Sequence, residues 1–196
     1  MGKIICLMGK SSTGKDTIFK RLLEDDTLEL KTIVPYTTRP IRVGERDGVE
    51  YFFTDEEGFQ RLKDRGKIIE AREYHTFHGL WRYFTVDDGQ IELKYSYIMI
   101  STLEAYRHLQ VYFGADRIVP VLIELDDGIR LQRALNRELK QENPKYEEMC
   151  RRFLADSADF SEEKIVECGI KRRFVNDELE RCLEEIKRYI KETLRN

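Results

Sequence analysis

The sequence has few of the residues that build metal sites or disulfide frameworks. It contains four cysteines, Cys6, Cys150, Cys168 and Cys182, and no two of them form a C-x-x-C pair. This spacing matches neither a zinc motif nor a disulfide-rich scaffold. Its three histidines also lack the spacing of metal ligands. We therefore expect reduced thiols, a reducing compartment and a cytoplasmic protein.

Long apolar runs and a strong excess of one charge are absent as well. No run approaches the ~20 apolar residues of a membrane span. The short apolar start is followed by a glycine-rich loop and not by a cleavage site, which argues against a signal peptide. A formal net charge of −3 argues against broad nucleic-acid binding. We expect neither a nucleic-acid nor a membrane partner, and the oligomeric state stays open.

Linkers, repeats and low-complexity tracts are missing too. The 196 residues, 41% hydrophobic and 36% charged, fit one globular unit. A chain of this length buries roughly 70% of the surface that its unfolded form exposes. We therefore predict a single domain over residues 1–196.

Short apolar runs alternate with helical patterns along most of the chain. This alternation predicts an α/β fold with a central, mostly parallel sheet covered on both faces. The predicted strands are residues 3–8, 31–34, 97–101, 118–125 and 170–175. A helix is expected from about Asp16, and a C-terminal helix has five apolar residues on one face. These are Leu179, Cys182, Leu183, Ile186 and Ile190.

Two segments interrupt this alternation. Residues 35–84 contain Thr, Arg, Gly and aromatic residues in hairpin-like order around one helix. This helix is predicted to begin with the capping box Thr54-x-x-Glu57 and to end at Gly66. Residues 126–159 are charged and helical. We interpret both segments as inserts standing over the sheet. The core is then predicted to comprise residues 1–34, 85–125 and 160–196.

Residues 9–15 match the phosphate-binding motif G-x-x-x-x-G-K. The glycines let backbone N–H groups turn towards phosphate oxygens, and the following helix adds the positive end of its dipole. Lys15 can reach the β- and γ-phosphates. A glycine-rich turn in an unrelated α/β protein is the alternative, but a buried strand before and an amphipathic helix after the loop favour ATP binding. The predicted ATP-binding residues here are Gly9, Ser11, Ser12, Thr13, Gly14, Lys15, Asp16 and Thr17.

The position after the lysine departs from the motif, which has Ser or Thr there as a magnesium ligand. This chain has Asp16 followed by Thr17. A carboxylate is a suitable oxygen ligand for Mg²⁺. It also suits the first turn of a helix, where it only interacts with the dipole. Both interpretations of Asp16 stay open.

A second informative stretch covers residues 37–53. Arg39, Arg42 and Tyr51 suit a phosphate clamp, because arginine offers forked hydrogen bonds and tyrosine a single donor. From the residues alone, a solvated charged hairpin is the other explanation.

This stretch resembles the guanylate kinase pattern T-T-R-x-x-R-x-x-E-x-x-G-x-x-Y-x-F. Together with the phosphate loop, the resemblance extends from about residue 3 to the C-terminus, and it is less specific after residue 70. It implies a P-loop kinase with a central parallel sheet, an acceptor-binding insert at residues 35–84 and a helical lid at residues 126–159. The implied reaction is transfer of the γ-phosphoryl group of ATP, with Mg²⁺, to a nucleoside monophosphate such as GMP or dGMP.

The resemblance also implies roles for individual residues. Glu70 would offer two carboxylate oxygens to the guanine edge, and Asn176 would lie near the adenine pocket. The implied catalytic residues are Lys15, Arg39 and the lid arginines Arg133, Arg137 and Arg152. The implied acceptor-binding residues are Arg39, Arg42, Glu45, Tyr51, Glu70 and His78, although a surface histidine explains His78 equally well.

Several base-recognising positions of the pattern are changed. Pro35 and Leu80 stand where the family has hydroxyl side chains, and the strand ending at Ser101-Thr102 lacks the family's carboxylates. These changes leave open a kinase for another nucleotide or for a ribose bisphosphate. A non-catalytic phosphopeptide-binding module is a third possibility. The intact Gly14-Lys15 pair favours an enzyme.

Overall fold

A computed structural model describes residues 2–76 and 79–195. Within them the strands are β1 (Ile4–Met8), β2 (Leu30–Thr32), β3 (Tyr36–Thr37), β4 (Phe52–Phe53), β5 (Ile68–Thr76), β6 (Gly79–Val86), β7 (Ser96–Ile100), β8 (Ile118–Glu124) and β9 (Arg173–Val175). The helices are α1 (Lys15–Leu23), α2 (Glu56–Asp64), α3 (Leu103–Phe113), α4 (Asp127–Glu138), α5 (Tyr146–Asp159), α6 (Glu162–Glu167) and α7 (Leu179–Arg195). None of these helices is long and apolar enough to cross a membrane.

The central sheet has five strands in the order β2-β7-β1-β8-β9, and all of its pairings are parallel. This confirms the α/β prediction and each of the five predicted core strands. Strand β1 lies in the middle, and all five of its residues are buried. The loop that follows β1 therefore emerges at the carboxyl edge of the sheet, where open α/β sheets bind ligands.

Two apolar layers cover the faces of this sheet. Cys6 of β1 belongs to the layer beneath α3 and α6, whereas Leu7 belongs to the layer beneath α1 and α7. Because successive strand residues point to opposite faces, one strand supplies both layers. The predicted face of the C-terminal helix is confirmed: Cys182, Leu183, Ile186 and Ile190 are all buried.

The four cysteines are free thiols, as expected. Cys6, Cys168 and Cys182 are buried, and burial raises the pKa of Cys6 to about 12 and that of Cys182 to about 11. Cys150, on α5, is exposed.

A second sheet, in the order β4-β3-β6-β5, is formed by the segment that interrupts the core. Strands β5 and β6 make an antiparallel hairpin, and β3 pairs parallel with β4. Helix α2 packs on one face through Phe59, Phe84 and Val86. Phe59 and Phe84 meet edge to face, with ring centroids 4.9 Å apart.

The ends of α2 correct one prediction and confirm another. Asp55, not Thr54, caps the helix: its carboxylate accepts a hydrogen bond from Gly58 N at 2.7 Å. A carboxylate in the N-cap position interacts with the helix dipole more strongly than a neutral hydroxyl does. Gly66 closes the helix as predicted, with φ at 64° and its N–H bonded to Lys63 O.

The opposite face of the β5–β6 hairpin is polar and aromatic. The pairs Glu70–Thr85, Arg72–Tyr83 and Tyr74–Trp81 face one another across the two strands, and paired residues share a face. We call this set of six residues the hairpin face. It lies on the side of the second sheet away from α2.

Candidate active site

Two glycines shape the phosphate loop. Gly9 has φ 151° and Gly14 has φ 90°. A Cβ atom at Gly9 would lie 2.5 Å from Ile123 O, and one at Gly14 would lie 2.4 Å from Asn176 Nδ2. No side chain fits at either position, so the backbone of the loop is free to face a ligand.

Asn176 holds the phosphate loop in place through a hydrogen bond to its backbone. Its Nδ2 donates to Thr13 O at 2.6 Å, and its backbone N–H bonds to Glu124 O at 2.9 Å. The residue is buried, and its Oδ1 has no hydrogen-bond partner in the described part of the chain. The structure therefore brings the predicted residue Asn176 to the phosphate loop.

Lys15 begins α1 and is half-buried. Burial lowers the pKa of Lys15 below 10.5, and the nearby carboxylates of Asp16 and Asp156 oppose that shift. No ion pair of Lys15 occurs within residues 2–76 and 79–195. Its charge is therefore available to an anionic ligand.

Asp16 and Thr17 are exposed in the first turn of α1. The described residues contain no group of three or more His, Cys, Asp or Glu side chains that could hold a metal ion. Mg²⁺ in phosphoryl-transfer sites usually keeps water and phosphate oxygens and takes only one or two carboxylates. Asp16 fits that pattern as a single carboxylate ligand, but it does not make a metal site by itself.

Arg130 of α4 is a site residue that sequence reasoning missed. It is fully buried, and its Nε donates to Ser11 O at 2.9 Å. Its terminal nitrogens form ion pairs with Asp127 and, at 3.1 Å, with Asp156. Its guanidinium carbon lies 4.8 Å from the centroid of the Phe153 ring. Arg130 thereby ties α4, α5 and the phosphate loop together.

Asp156 of α5 occupies part of the phosphate loop itself. Its Oδ2 accepts a hydrogen bond from Ser11 N at 2.6 Å. In this conformation a carboxylate binds a backbone amide that the motif assigns to phosphate. A nucleotide phosphate that uses this amide must displace Asp156.

The three predicted lid arginines differ in their positions. Arg152 Nη2 lies 3.5 Å from Ser11 Oγ, and Arg133 Nη1 lies 3.8 Å from the point where a Cβ atom of Gly14 would stand. Arg137 is exposed, and its side chain makes no hydrogen bond or ion pair within the described residues. The structure thus brings two of the three arginines to the phosphate loop.

Arg39 and Glu45 form a buried fork in the predicted clamp. Arg39 donates to the two carboxylate oxygens of Glu45 at 2.7 and 2.5 Å, and it also donates to Pro40 O at 2.9 Å. Hydrogen bonding to Arg39 lowers the pKa of Glu45. Arg39 Nε is buried and has no partner in the described part of the chain. An orphaned cationic donor of this kind suits an anionic ligand.

Tyr51 completes the clamp, and Arg42 stands at its edge. The Tyr51 ring centroid is 5.0 Å from the guanidinium carbon of Arg39, and burial raises the pKa of Tyr51. Arg42 donates its backbone N–H to Glu45 at 2.9 Å, while the residue is exposed. Four predicted acceptor-binding residues therefore converge.

Glu70 is buried but not free. Its side chain has no exposed surface, Thr85 Oγ1 donates to Oε1 at 2.7 Å, and Arg72 Nε donates to Oε2 at 3.0 Å. Each carboxylate oxygen therefore already accepts a hydrogen bond within the protein, and a base that binds here would share Glu70 with Thr85 and Arg72. The period of two along β5 places Glu70 and Arg72 on one face, so this pairing was available as a signal in the sequence.

The position of Leu80 corrects another prediction. Leu80 pairs with His75 and lies on the α2 side of the second sheet, away from Glu70. Leu80 is therefore not a base-recognising position. The residue of β6 that lies opposite Arg72 is Tyr83. His78 lies outside the described residues.

The carboxyl end of β7 offers hydroxyls, as the sequence predicts. Thr102 caps α3 by accepting from Ala105 N at 3.3 Å, and it also accepts from Arg72 Nη1 at 3.5 Å. The second sheet and the carboxyl edge of the central sheet therefore meet at Arg72.

Known proteins are similar to this chain in sequence and architecture. Residues 1–81 match the family described as Guanylate kinase. A guanylate kinase of Mycoplasma mobile is 31% identical over 192 residues, which cover 97% of this chain and 92% of the relative. A guanylate kinase of Aromatoleum aromaticum is 45% identical over 74 residues, which cover 38% of this chain and 36% of the relative.

One solved structure shares the fold. The crystal structure of guanylate kinase from Anaplasma phagocytophilum superposes with a TM-score of 0.65 at 22% identity, covering 97% of this chain and 85% of that chain.

Proposed function

This chain belongs to the guanylate kinase family, and on that basis we propose that it transfers the γ-phosphoryl group of ATP to GMP or dGMP. The observation that carries the proposal is the pairing of two anion sites. One is the phosphate loop with Lys15, which has no ion pair within the described residues, and the other is the clamp of Arg39 and Tyr51. Two phosphate sites in one molecule suit a donor and an acceptor.

The proposed chemistry needs no covalent intermediate. Loop amides and Lys15 hold the ATP phosphates, and Arg39 and Tyr51 hold the acceptor phosphate, so that the two substrates approach in line. Arg152 lies beside the loop, where it can offset the negative charge on the moving phosphoryl group.

Asp16 is the residue that we propose to hold Mg²⁺, together with oxygens of the nucleotide and water. When bound, the ion neutralises charge between the β- and γ-phosphates. Asp16 orients its carboxylate from the first turn of α1, beside Lys15.

We propose that residues 35–84 act as the acceptor-binding insert and residues 126–159 as the lid, around the core defined above. Closure of these parts would exclude water, which otherwise hydrolyses ATP. The contacts of Arg130 and Asp156 with Ser11 support this role, because they connect both lid helices to the loop. The four free cysteines support a cytoplasmic location, and nucleotides are the proposed partners.

The test is ADP release with a panel of acceptors: GMP, dGMP, AMP, CMP, UMP and a ribose bisphosphate. Lys15→Ala should lower kcat by on the order of 10²-fold, because a transition-state charge contact is lost. Lys20→Ala, which removes an exposed lysine of the same helix, is the matched control. Turnover of another acceptor without GMP or dGMP would contradict the guanine assignment. Absence of turnover with every acceptor would favour a binding module.

A further inference from the structure

Arg72 stands in the centre of the hairpin face, between the two sheets. Its side chain is only 11% exposed. Its Nε lies 3.0 Å from Glu70 Oε2, its Nη2 lies 3.4 Å from Glu70 Oε1, and its Nη1 lies 3.5 Å from Thr102 Oγ1. The guanidinium is therefore fixed in orientation from two sides.

Arg72 lies near the acceptor clamp. The charge of Arg72 opposes the rise in the pKa of Tyr51 that burial causes, and the Tyr51 ring centroid lies 5.0 Å from the guanidinium carbon of Arg39. The Tyr83 ring bridges the two regions, since its centroid is 5.5 Å from that of Tyr51 and 5.6 Å from that of Tyr74. A ligand whose phosphate binds at the clamp can therefore extend towards Arg72.

The guanidinium keeps donor capacity for such a ligand. Arginine has five N–H groups. Within the described residues, the contacts with Glu70 and Thr102 use three of them. At least one N–H group therefore remains beside a carboxylate that only accepts.

The acceptor Glu70 and the donor Arg72 lie side by side, and this arrangement matches the edge of guanine. Guanine offers N1–H and an exocyclic amine as donors and O6 and N7 as acceptors, and arginine is the commonest protein partner of O6 and N7. We propose that Arg72 is a specificity-determining residue that donates to guanine O6, while Glu70 uses its remaining acceptor capacity for the adjacent N1–H. The inference rests on the proposed function.

The changed positions around the pocket support this assignment. Pro35 has no side-chain donor, and Leu80 lies on the other side of the sheet. Arg72 is a cationic donor on the hairpin face, and a base carbonyl without a partner there would be costly to bury. Thr85 already orients Glu70, so a guanidinium is not needed for that purpose alone.

The test compares GMP with 6-thio-GMP, in which sulfur replaces O6 and the N1–H and amine groups remain. Each is assayed with the wild-type protein and with Arg72→Gln, which keeps a neutral donor for Glu70. In the wild type the sulfur substitution should lower kcat/KM by about tenfold, as expected for one lost base contact. In Arg72→Gln the GMP value should fall by a similar factor, and the ratio of the two substrates should approach one.

The matched control is Arg82→Gln. Arg82 lies on the α2 side of the same hairpin, where it pairs with Glu73 and stacks on Phe59. It should leave the ratio of GMP to 6-thio-GMP at its wild-type value. Thermal unfolding of each variant shows whether the fold is kept, and the wild-type ratio alone remains decisive if Arg72→Gln does not fold.

Two results would overturn the inference while the proposed function stands. One is a wild-type enzyme that turns over GMP and 6-thio-GMP equally well. The other is an increase in GMP turnover in Arg72→Gln, which would mean that Arg72 shields Glu70 from the base. A wild-type protein that binds ATP but turns over neither GMP nor dGMP would contradict the proposed function itself.

Discussion

Lys15 illustrates how a single half-buried charge sets a pH limit. Its pKa in the free protein lies below 10.5 because burial disfavours the charged form. In the proposed mechanism the charged form binds phosphate, so kcat/KM for ATP should fall at a lower pH than an ordinary lysine would give. Bound phosphates favour the charged form, so the fall in kcat should come at higher pH.

The measurement is a pair of pH–rate profiles on the alkaline side. The stability of the free protein should change in the opposite direction and rise with pH. A lysine with a lowered folded-state pKa costs stability while it is charged, and that cost disappears as pH rises through this pKa. If kcat and kcat/KM both fell only near 10.5, the lowered pKa of Lys15 would be contradicted.

Asp16 gives a second prediction for a single residue. Its carboxylate is exposed beside Lys15, where the motif has a hydroxyl. Asp16→Ser should raise the Mg²⁺ concentration for half-maximal rate, because a neutral hydroxyl is a weaker ligand than a carboxylate. Asp26→Ser, an exposed carboxylate beyond the end of α1, serves as control. An unchanged magnesium dependence would leave Asp16 as a charge that only favours the helix dipole.

Residues of the site differ in how far the sequence could reveal them. The phosphate loop and the clamp are local in sequence, so the motif spacing was sufficient. Arg130 and Asp156 contact Ser11 across separations of 119 and 145 residues, and nothing in their local sequence distinguishes them from the other charges of residues 126–159. Their roles arise only from tertiary packing.

At the scale of elements, the contact between α5 and the phosphate loop gives a further prediction. Asp156→Asn removes the negative charge beside Ser11 N, which a nucleotide phosphate must otherwise displace. KM for ATP should fall by up to about tenfold, as expected for a lost hydrogen bond to a charged group. Steady-state kinetics at saturating GMP measures this effect.

The same substitution should lower the thermal stability of the free protein, because Arg130 is fully buried and loses one of its two ionic partners. Glu147→Gln, which changes an exposed residue of α5, is the control. A rise in KM for ATP would instead show that Asp156 helps to orient the loop for the nucleotide.

Elements of the two sheets were not equally predictable. The strands of the central sheet are buried runs of apolar residues, and such a run is recognisable whichever strand it pairs with. Strands β3 and β4 are two residues long and pair parallel across a loop, so neither propensity nor alternation identifies them. The register of β5 against β6 arises from their pairing, and it places Leu80 on the face away from Glu70 although the resemblance aligned it with a base-recognising hydroxyl.

For the whole molecule, the alternation of strands and helices was enough to predict the fold class, because burial on both faces of a sheet permits few arrangements. In our proposal the choice of acceptor depends on a few polar atoms instead. Arg72, Glu70 and Thr85 form a network that spans both strands of the hairpin, and no local pattern states which oxygen receives which donor. The sequence therefore predicts the class of reaction better than the recognition of the base.

The distribution of cysteines offers a direct way to observe movement of the proposed lid. Thiols react as thiolates, and burial makes Cys6, Cys168 and Cys182 inaccessible and raises their pKa values. Cys150 is exposed on α5, two residues before Arg152. A thiol-reactive fluorophore would therefore attach to α5 of the native protein without any engineered substitution. Its emission during nucleotide addition would follow this helix in real time.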